Sequence, residues 1–182
     1  MEGEICSQCC GRHREDIIDC PIECTFLIES RMHVMTKAMD PTRYPDLMPR
    51  EEFIAANQNL FTLTAMSLFA AALKTKNCID HDLLDCLDAA IRNRRAQKSG
   101  LIYDGKPDNL IAAEMLETFD QRIEVFLSQH AEWYGQKPLP DADLLEMLVF
   151  VRMLGGSHEN GRRKGRAFLH LLHGIASQQL AD

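Results

Sequence analysis

The sequence predicts an all-α fold, a bundle of about six helices behind a small cysteine-rich N-terminal element. The composition favours helix, because Leu, Ala, Met, Glu and Asp are plentiful while Tyr and Trp number only 3 and 1 among 182 residues. Capping and helix-breaking residues also divide the chain into stretches of helical length. Five of the 7 cysteines fall within the first 24 residues, which sets this end apart from the rest.

The first half of the bundle is predicted from four local signals. Pro21 suits the first turn of a helix, where its missing N–H costs no hydrogen bond. Residues 60–73 are apolar on nearly every side, which is typical of a buried central helix. Asn77 can end that helix in the left-handed conformation, and Asp80 is expected to cap the next one.

The second half follows the same rules. Gly100 is expected to end the third helix, and Asp108 or Asn109 to cap the fourth. Asp141 is expected to cap the fifth, which should end at the glycine pair 155–156. The six predicted helices span about residues 20–37, 50–76, 81–98, 109–134, 141–156 and 161–179.

Charge and composition restrict the functional classes. Acidic residues outnumber basic ones by 27 to 20, and this net charge of −7 opposes general attraction to nucleic acid or to an anionic membrane. The N-terminal residues lack the basic and apolar regions of a signal peptide, and the longest apolar stretch, residues 63–73, is too short to cross a bilayer. We therefore expect a cytoplasmic protein that does not associate with membranes.

The clearest chemical signal is a set of two short-spaced cysteine pairs. In a reducing compartment, an odd number of cysteines indicates metal or redox chemistry rather than disulfides. Cys6 and Cys9 are spaced so that the N–H groups of a tight turn can point at their sulfurs. Cys20 and Cys24 are expected to lie on one face of the first helical turn. Four thiolates at such spacing suit the tetrahedral coordination of zinc.

Residues 6–27 resemble the short treble-clef and zinc-knuckle modules of the FCS/TRASH kind, in which the second pair is also Cys-x-x-x-Cys at a helix start. The sequence differs from those modules in its shorter spacer, in Asp19 where an aromatic residue is usual, and in the additional Cys10. The resemblance implies that the zinc ligands are Cys6, Cys9, Cys20 and Cys24.

The residues themselves leave the ligand set open, because Cys10 can replace Cys9 and His13 can replace either cysteine. A redox switch between neighbouring thiols ranks second, since no βαβ pattern surrounds the Cys-x-x-Cys. A closed set of four thiolates indicates a structural rather than a catalytic zinc. The predicted organisation is a zinc knuckle, residues 1–30, that leads into the first helix, followed by a helical bundle domain, residues 31–182.

A second candidate site lies at the start of the last predicted helix. Positive charge is unfavourable there, so a basic cluster at a helix N-terminus indicates a site for phosphate, although a solvated face is the commoner explanation. The candidate phosphate-binding residues are Arg162, Arg163, Lys164 and Arg166.

Other residues have simpler interpretations. Cys78 and Cys86 lie far along the chain from the cysteine pairs and are expected to be small core residues. Asp82, Asp85 and Asp88 recur at helical spacing and predict a solvated acidic face.

The sequence shows no nucleophile that can be assigned to a base, and no phosphate-binding loop after a strand. The leading hypothesis is therefore a zinc-stabilised, non-enzymatic interaction or regulatory module that binds a protein partner. Nucleic-acid binding through the knuckle and the basic cluster is the first alternative. An enzyme with a pocket inside the bundle is the second.

Overall fold

The computed structural model describes residues 5–32, 36–100, 105–134 and 139–181, and these residues contain eight α-helices and no β-strand. The predicted all-α class is confirmed. No helix within these ranges is both long and apolar enough to cross a membrane. The helices are α1 (Ser7–His13), α2 (Thr25–Met32), α3 (Glu51–Ala56), α4 (Gln58–Lys74), α5 (Asp80–Lys98), α6 (Leu110–Tyr134), α7 (Asp141–His158) and α8 (Ala167–Ala181).

The hydrophobic core lies among the last five helices. α5 packs against α6 and α7, while α4 packs against α6, α7 and α8. Ala65, Leu68 and Ala71 of α4 are fully buried, which confirms the prediction of a central helix there. Phe119 of α6 and Phe168 of α8 are the largest of the fully buried side chains. Burial of such apolar surface is the main favourable contribution to folding.

Two predicted helix boundaries are confirmed by their geometry, and a third differs. Gly100 (φ 77°) follows the end of α5, and a left-handed residue lets the chain leave a helix. Asn77 has the predicted left-handed conformation (φ 59°), but α4 has already ended before it, because the backbone is extended at Thr75. The Oδ1 atom of Asn109 accepts the N–H groups of Ile111 and Ala112 at 3.0 and 3.3 Å, and so caps α6.

The second and fifth predicted helices differ from the structure for identifiable reasons. At Asn57 (φ −118°, ψ 38°) the backbone leaves helical geometry, which divides the second helix into α3 and α4. α7 continues past Gly155 to His158 instead of ending at the glycine pair. A Cβ atom on Gly155 would lie 2.7 Å from the Phe168 ring. This glycine therefore permits the close approach of α8 rather than ending a helix.

The last helix begins at Ala167 rather than at residue 161. Gly161 has a φ of 70°, and the Gly165 N–H donates to the carbonyl oxygen of Arg162 at 3.0 Å, so the chain turns before the helix begins. The predicted basic cluster therefore lies ahead of α8 rather than in its first turn.

The first predicted helix also begins later, at Thr25, and the expectation that Cys20 and Cys24 share its first turn is wrong. The reason is a separate turn in which the Cys24 N–H donates to the carbonyl oxygen of Pro21 at 3.2 Å. The predicted continuation of this helix passes through residues 33–35, which lie outside the described ranges. With the additional α1 and the division at Asn57, these ranges hold eight helices instead of about six.

Asp88 of α5 is a buried carboxylate that joins three segments of the chain. It accepts hydrogen bonds from Arg152 of α7 at 2.8 and 3.1 Å. It also accepts bonds from Arg43 and from the Tyr44 hydroxyl in the loop before α3. Burial alone would raise the pKa of Asp88, but the bonds from the two arginines and the tyrosine outweigh burial and lower it.

The expected solvated acidic face on α5 is therefore wrong at Asp88, and it is also wrong at Asp82. Asp82 is buried, and its oxygens accept the Ile79 N–H at 2.9 Å and the Asn109 side-chain amide at 2.7 Å. Only Asp85 of the three is partly exposed. The three aspartates do share helical spacing, but the side chains of Asp82 and Asp88 form hydrogen bonds to neighbouring segments.

We expect Asp88→Ala to lower the free energy of unfolding by about 3 kcal/mol or more, because Arg152 would stay buried without a counter-ion. Asp46→Ala is the matched control, since Asp46 pairs with Arg95 at 2.8 Å with its side chain 67% exposed. That exposed pair should contribute less than about 1 kcal/mol. Urea unfolding measures both variants, and equal losses would contradict the role given to Asp88.

Candidate functional site

Cys6 and Cys9 lie at the start of α1. The Cys9 N–H donates to the Cys6 sulfur at 3.4 Å, which is the N–H-to-sulfur contact that the Cys-x-x-Cys spacing predicts. This backbone bond is the main reason that the pKa of the Cys6 thiol is lowered from its ordinary value. The side-chain hydrogen bond to Cys6 raises the pKa of Cys9. The pair therefore favours a single thiolate, at Cys6.

The other N-terminal cysteines are more buried than this pair. Cys20 is buried, and its thiol donates to the carbonyl oxygen of Ile18 at 3.8 Å. Within the described ranges, no group of three or more His, Cys, Asp or Glu side chains is placed to hold a metal ion. The zinc ligand set therefore stays a prediction, with the residues Cys6, Cys9, Cys20 and Cys24 and the alternates Cys10 and His13.

Cys78 and Cys86 are core residues, as expected. They are 4% and 0% exposed. Burial raises the pKa of Cys78 to about 12 and also raises the pKa of Cys86. Both therefore remain protonated thiols at neutral pH, unlike a zinc ligand.

Glu15 attaches the N-terminal segment, residues 5–32, to the helical bundle. This acidic residue is buried, with only 4% of its surface exposed. Its Oε1 accepts bonds from Arg31 at 2.5 Å and from the Arg166 N–H at 2.9 Å. Its Oε2 accepts a bond from the Asn160 amide at 2.8 Å. Its backbone carbonyl oxygen accepts the Lys164 N–H at 2.7 Å. One carboxylate thus joins positions up to 151 residues apart in sequence.

The side chain of Arg166 forms further contacts between the bundle and the N-terminal segment. Its Nε donates to the Cys78 carbonyl oxygen at 3.0 Å and its Nη1 to the Cys20 carbonyl oxygen at 2.8 Å. Its Nη2 lies 2.8 Å from the Asp19 carboxylate, and the side chain is only 13% exposed. The guanidinium group of Arg166 is therefore bonded to groups of the protein itself, and it holds Cys20 beside the core.

The start of α8 is an anion position that the protein's own carboxylates occupy. Asp80 accepts the N–H groups of Phe168 and Leu169 at 3.1 and 3.0 Å, next to the bond between Glu15 and the Arg166 N–H. The positive end of the helix dipole favours negative charge at this place. Asp80 therefore caps α8, and the prediction that it caps its own helix is wrong.

Phosphate binding by the basic cluster stays a prediction after this geometry is taken into account. Of the four predicted residues, Arg162 and Arg163 are exposed and Lys164 is half-buried. The fourth residue, Arg166, is bonded to protein groups.

Two residues that lie where the N-terminal segment meets the bundle, Glu15 and Arg31, do not stand out in the sequence. Glu15 lies outside any helix with a φ of 54°, so no hydrophobic period marks it as buried. Its partners Asn160 and Arg166 are remote in sequence. The one local signal is an acidic residue directly after a basic run, residues 12–14.

The comparisons with known proteins add no family to this description. No family model matches the chain, and no curated protein or solved structure is significantly similar to it. The resemblance of residues 6–27 to FCS/TRASH modules therefore stays a prediction. The fold and the site define an all-helical protein in which buried ionic contacts hold a cysteine-bearing segment on a bundle.

We expect Glu15→Gln to loosen the N-terminal segment and to lower the free energy of unfolding by about 2 kcal/mol, because Arg31 would keep its charge without a carboxylate partner. Hydrogen–deuterium exchange of the α2 amides and urea unfolding measure the two effects. Glu23→Gln is the control, since Glu23 is exposed and lies in the same segment. Equal exchange in the two variants would contradict the attachment role of Glu15.

Asp80 should give stability an inverse dependence on pH. Burial raises the pKa of Asp80 to about 6, and the bonds from backbone N–H groups only partly oppose it. Because the unfolded value is about 4, this contribution is fully present below about pH 4 and is lost as the pH rises through about 6. Asp80→Asn stays neutral and should remove the effect.

As the pH is lowered from about 7 to about 4, the unfolding free energy of the unmodified protein should therefore rise by about 2 to 3 kcal/mol relative to that of Asp80→Asn. Urea unfolding of both proteins across this range measures the difference. A difference that does not change with pH would contradict the raised pKa.

Proposed function

We propose that this chain is a non-enzymatic interaction or regulatory module whose N-terminal cysteine segment binds a structural zinc ion. In this proposal the segment is held on the helical bundle, and the assembled surface binds a protein partner. The proposed ligands are Cys6, Cys9, Cys20 and Cys24.

The observation that carries the proposal is the attachment of the loop between the two cysteine pairs. Glu15 in that loop is buried against Asn160 and the backbone of Arg166. One cysteine pair precedes Glu15 and the other follows it. A metal ion bound by both cysteine pairs would close this loop before the loop docks. The closed loop then has less chain entropy to lose when it docks on the bundle. Zinc would therefore stabilise the contact between the segment and the bundle.

The donors suit zinc in their chemistry, although the described residues hold no assembled cluster. Thiolate is the form that coordinates zinc, and the lowered pKa of Cys6 favours it. The Cys20 thiol donates to the Ile18 carbonyl oxygen and has to leave that contact in order to coordinate. Four thiolates leave no open coordination position, which is why the proposed zinc is structural.

Nucleic-acid binding has less support from the geometry. Arg166 is bonded to protein groups, which leaves Arg162 and Arg163 as the exposed cations of the predicted cluster. The N–H groups of Phe168 and Leu169 at the start of α8 are also bonded within the protein. Two exposed arginines on a chain of net charge −7 provide little attraction for phosphates.

We expect the chain purified under reducing conditions to hold about one zinc ion, and Cys6→Ser and Cys24→Ser to hold almost none. Inductively coupled plasma mass spectrometry on the folded proteins measures the ratio. Cys78→Ala and Cys86→Ala are the controls, because both thiols are buried in the core, and they should keep the full zinc content.

The same measurement on Cys9→Ser and Cys10→Ser shows which of the two neighbours coordinates. A chelator should lower the melting temperature of the unmodified protein and leave that of Cys6→Ser unchanged. A folded chain without metal under reducing conditions would overturn the zinc proposal.

A further inference from the structure

A cavity of about 440 Å³ lies where the N-terminal segment meets the bundle. It is bordered by α2, by the end of α7 and the loop after it, and by the start of α8. Leu27 and Leu171 contribute apolar wall to the cavity. Its volume is within the range of small-molecule sites, about 300–1,000 Å³.

The lining of this cavity is cationic, in contrast to the chain as a whole with its net charge of −7. Four lining residues carry a positive charge and two carry a carboxylate, one of which, Glu15, is already bonded within the protein. The cations come from separate stretches of the chain that only the fold brings together. They are Arg14, Arg31, Lys37 and Arg162, and the second carboxylate is Glu159.

Arg31 provides a second and independent observation. Its side chain is 15% exposed, and its Nη2 donates to Glu15. Its Nε and Nη1 are buried and have no hydrogen-bond partner within the described ranges. Buried N–H groups are nearly always bonded, and an unmade bond costs about 1–3 kcal/mol. An oxyanion in the adjoining cavity would supply the missing acceptor once the guanidinium group turns these N–H groups toward it.

His158 adds an acceptor to this lining. Its Nδ1 lies 2.9 Å from the carbonyl oxygen of Leu154, which can only accept a hydrogen bond. In its neutral form the ring carries its hydrogen on Nδ1 for this contact, which leaves Nε2 as an acceptor. A ligand with a hydroxyl group as well as an anionic group matches such a lining.

We propose that this cavity binds a small hydroxylated organic molecule through its oxyanion group, a phosphate or a carboxylate, with Arg31, Lys37 and Arg162 as the binding cations. Guanidinium groups form strong paired hydrogen bonds to both kinds of oxyanion. The start of α8 is not the site, because Asp80 and Glu15 already occupy it. The site lies beyond the proposed zinc function and does not require it.

The test is isothermal titration calorimetry of the full chain with glucose 6-phosphate and with citrate, at low and at physiological ionic strength. These probes distinguish a phosphate ligand from a carboxylate ligand. We expect one of them to bind. Arg162→Gln and Lys37→Gln should each weaken that binding about tenfold through loss of a charge-assisted bond.

Arg163→Gln is the matched control, because Arg163 is exposed, adjacent to Arg162 and outside the cavity lining. It removes the same charge and should change the affinity less than about twofold. Absence of binding by both probes to the folded protein would overturn the proposal. Equal weakening by Arg162→Gln and Arg163→Gln, or tighter binding of a random single-stranded oligonucleotide than of either probe, would also overturn it in favour of a charged surface.

Discussion

A helix that starts inside a protein needs acceptors for its first N–H groups, and the start of α8 finds them in carboxylates from two distant segments. Asp80 comes from the beginning of α5, and Glu15 comes from the loop between the cysteine pairs. Each is an anion at the positive end of a helix dipole, so oriented N–H donors partly offset the loss of solvation. The positions of α5, α8 and the N-terminal segment relative to one another follow from this junction.

α5 carries another buried carboxylate, Asp88, about two turns beyond Asp80. Asp80 bonds to α8, whereas Asp88 bonds to α7 and to the loop before α3. A core of Leu, Ala and Met side chains is compatible with several registers of helix packing. Carboxylates with several bonded donors accept far fewer arrangements. The polar bonds along α5 therefore select one arrangement among those that apolar burial would stabilise.

Local rules predict the features that neighbouring residues decide. Gly100 and Asn109 end or cap a helix through atoms within four residues, so their roles can be read from the sequence. Gly155 and Asp80 are likewise a glycine and a residue type typical of helix caps, but they act on α8, and Asp80 lies 88 residues from Phe168. The candidate site divides in the same way. The cysteine spacing is visible in the sequence, whereas the bonds of Glu15 depend on a tertiary approach that no period encodes.

The separation between Glu15 and its partners also determines when the N-terminal segment can dock. These contacts close loops of 145 and 151 residues, at a cost in chain entropy of about 4 kcal/mol if they form first. Helices that are closer in sequence associate at lower cost. In a chain synthesised from its N-terminus, the cysteine segment therefore waits until residue 166 has been added and α8 has packed. During that interval its thiols are at their most accessible, so the metal ions and oxidants around the nascent chain reach them before the bundle does.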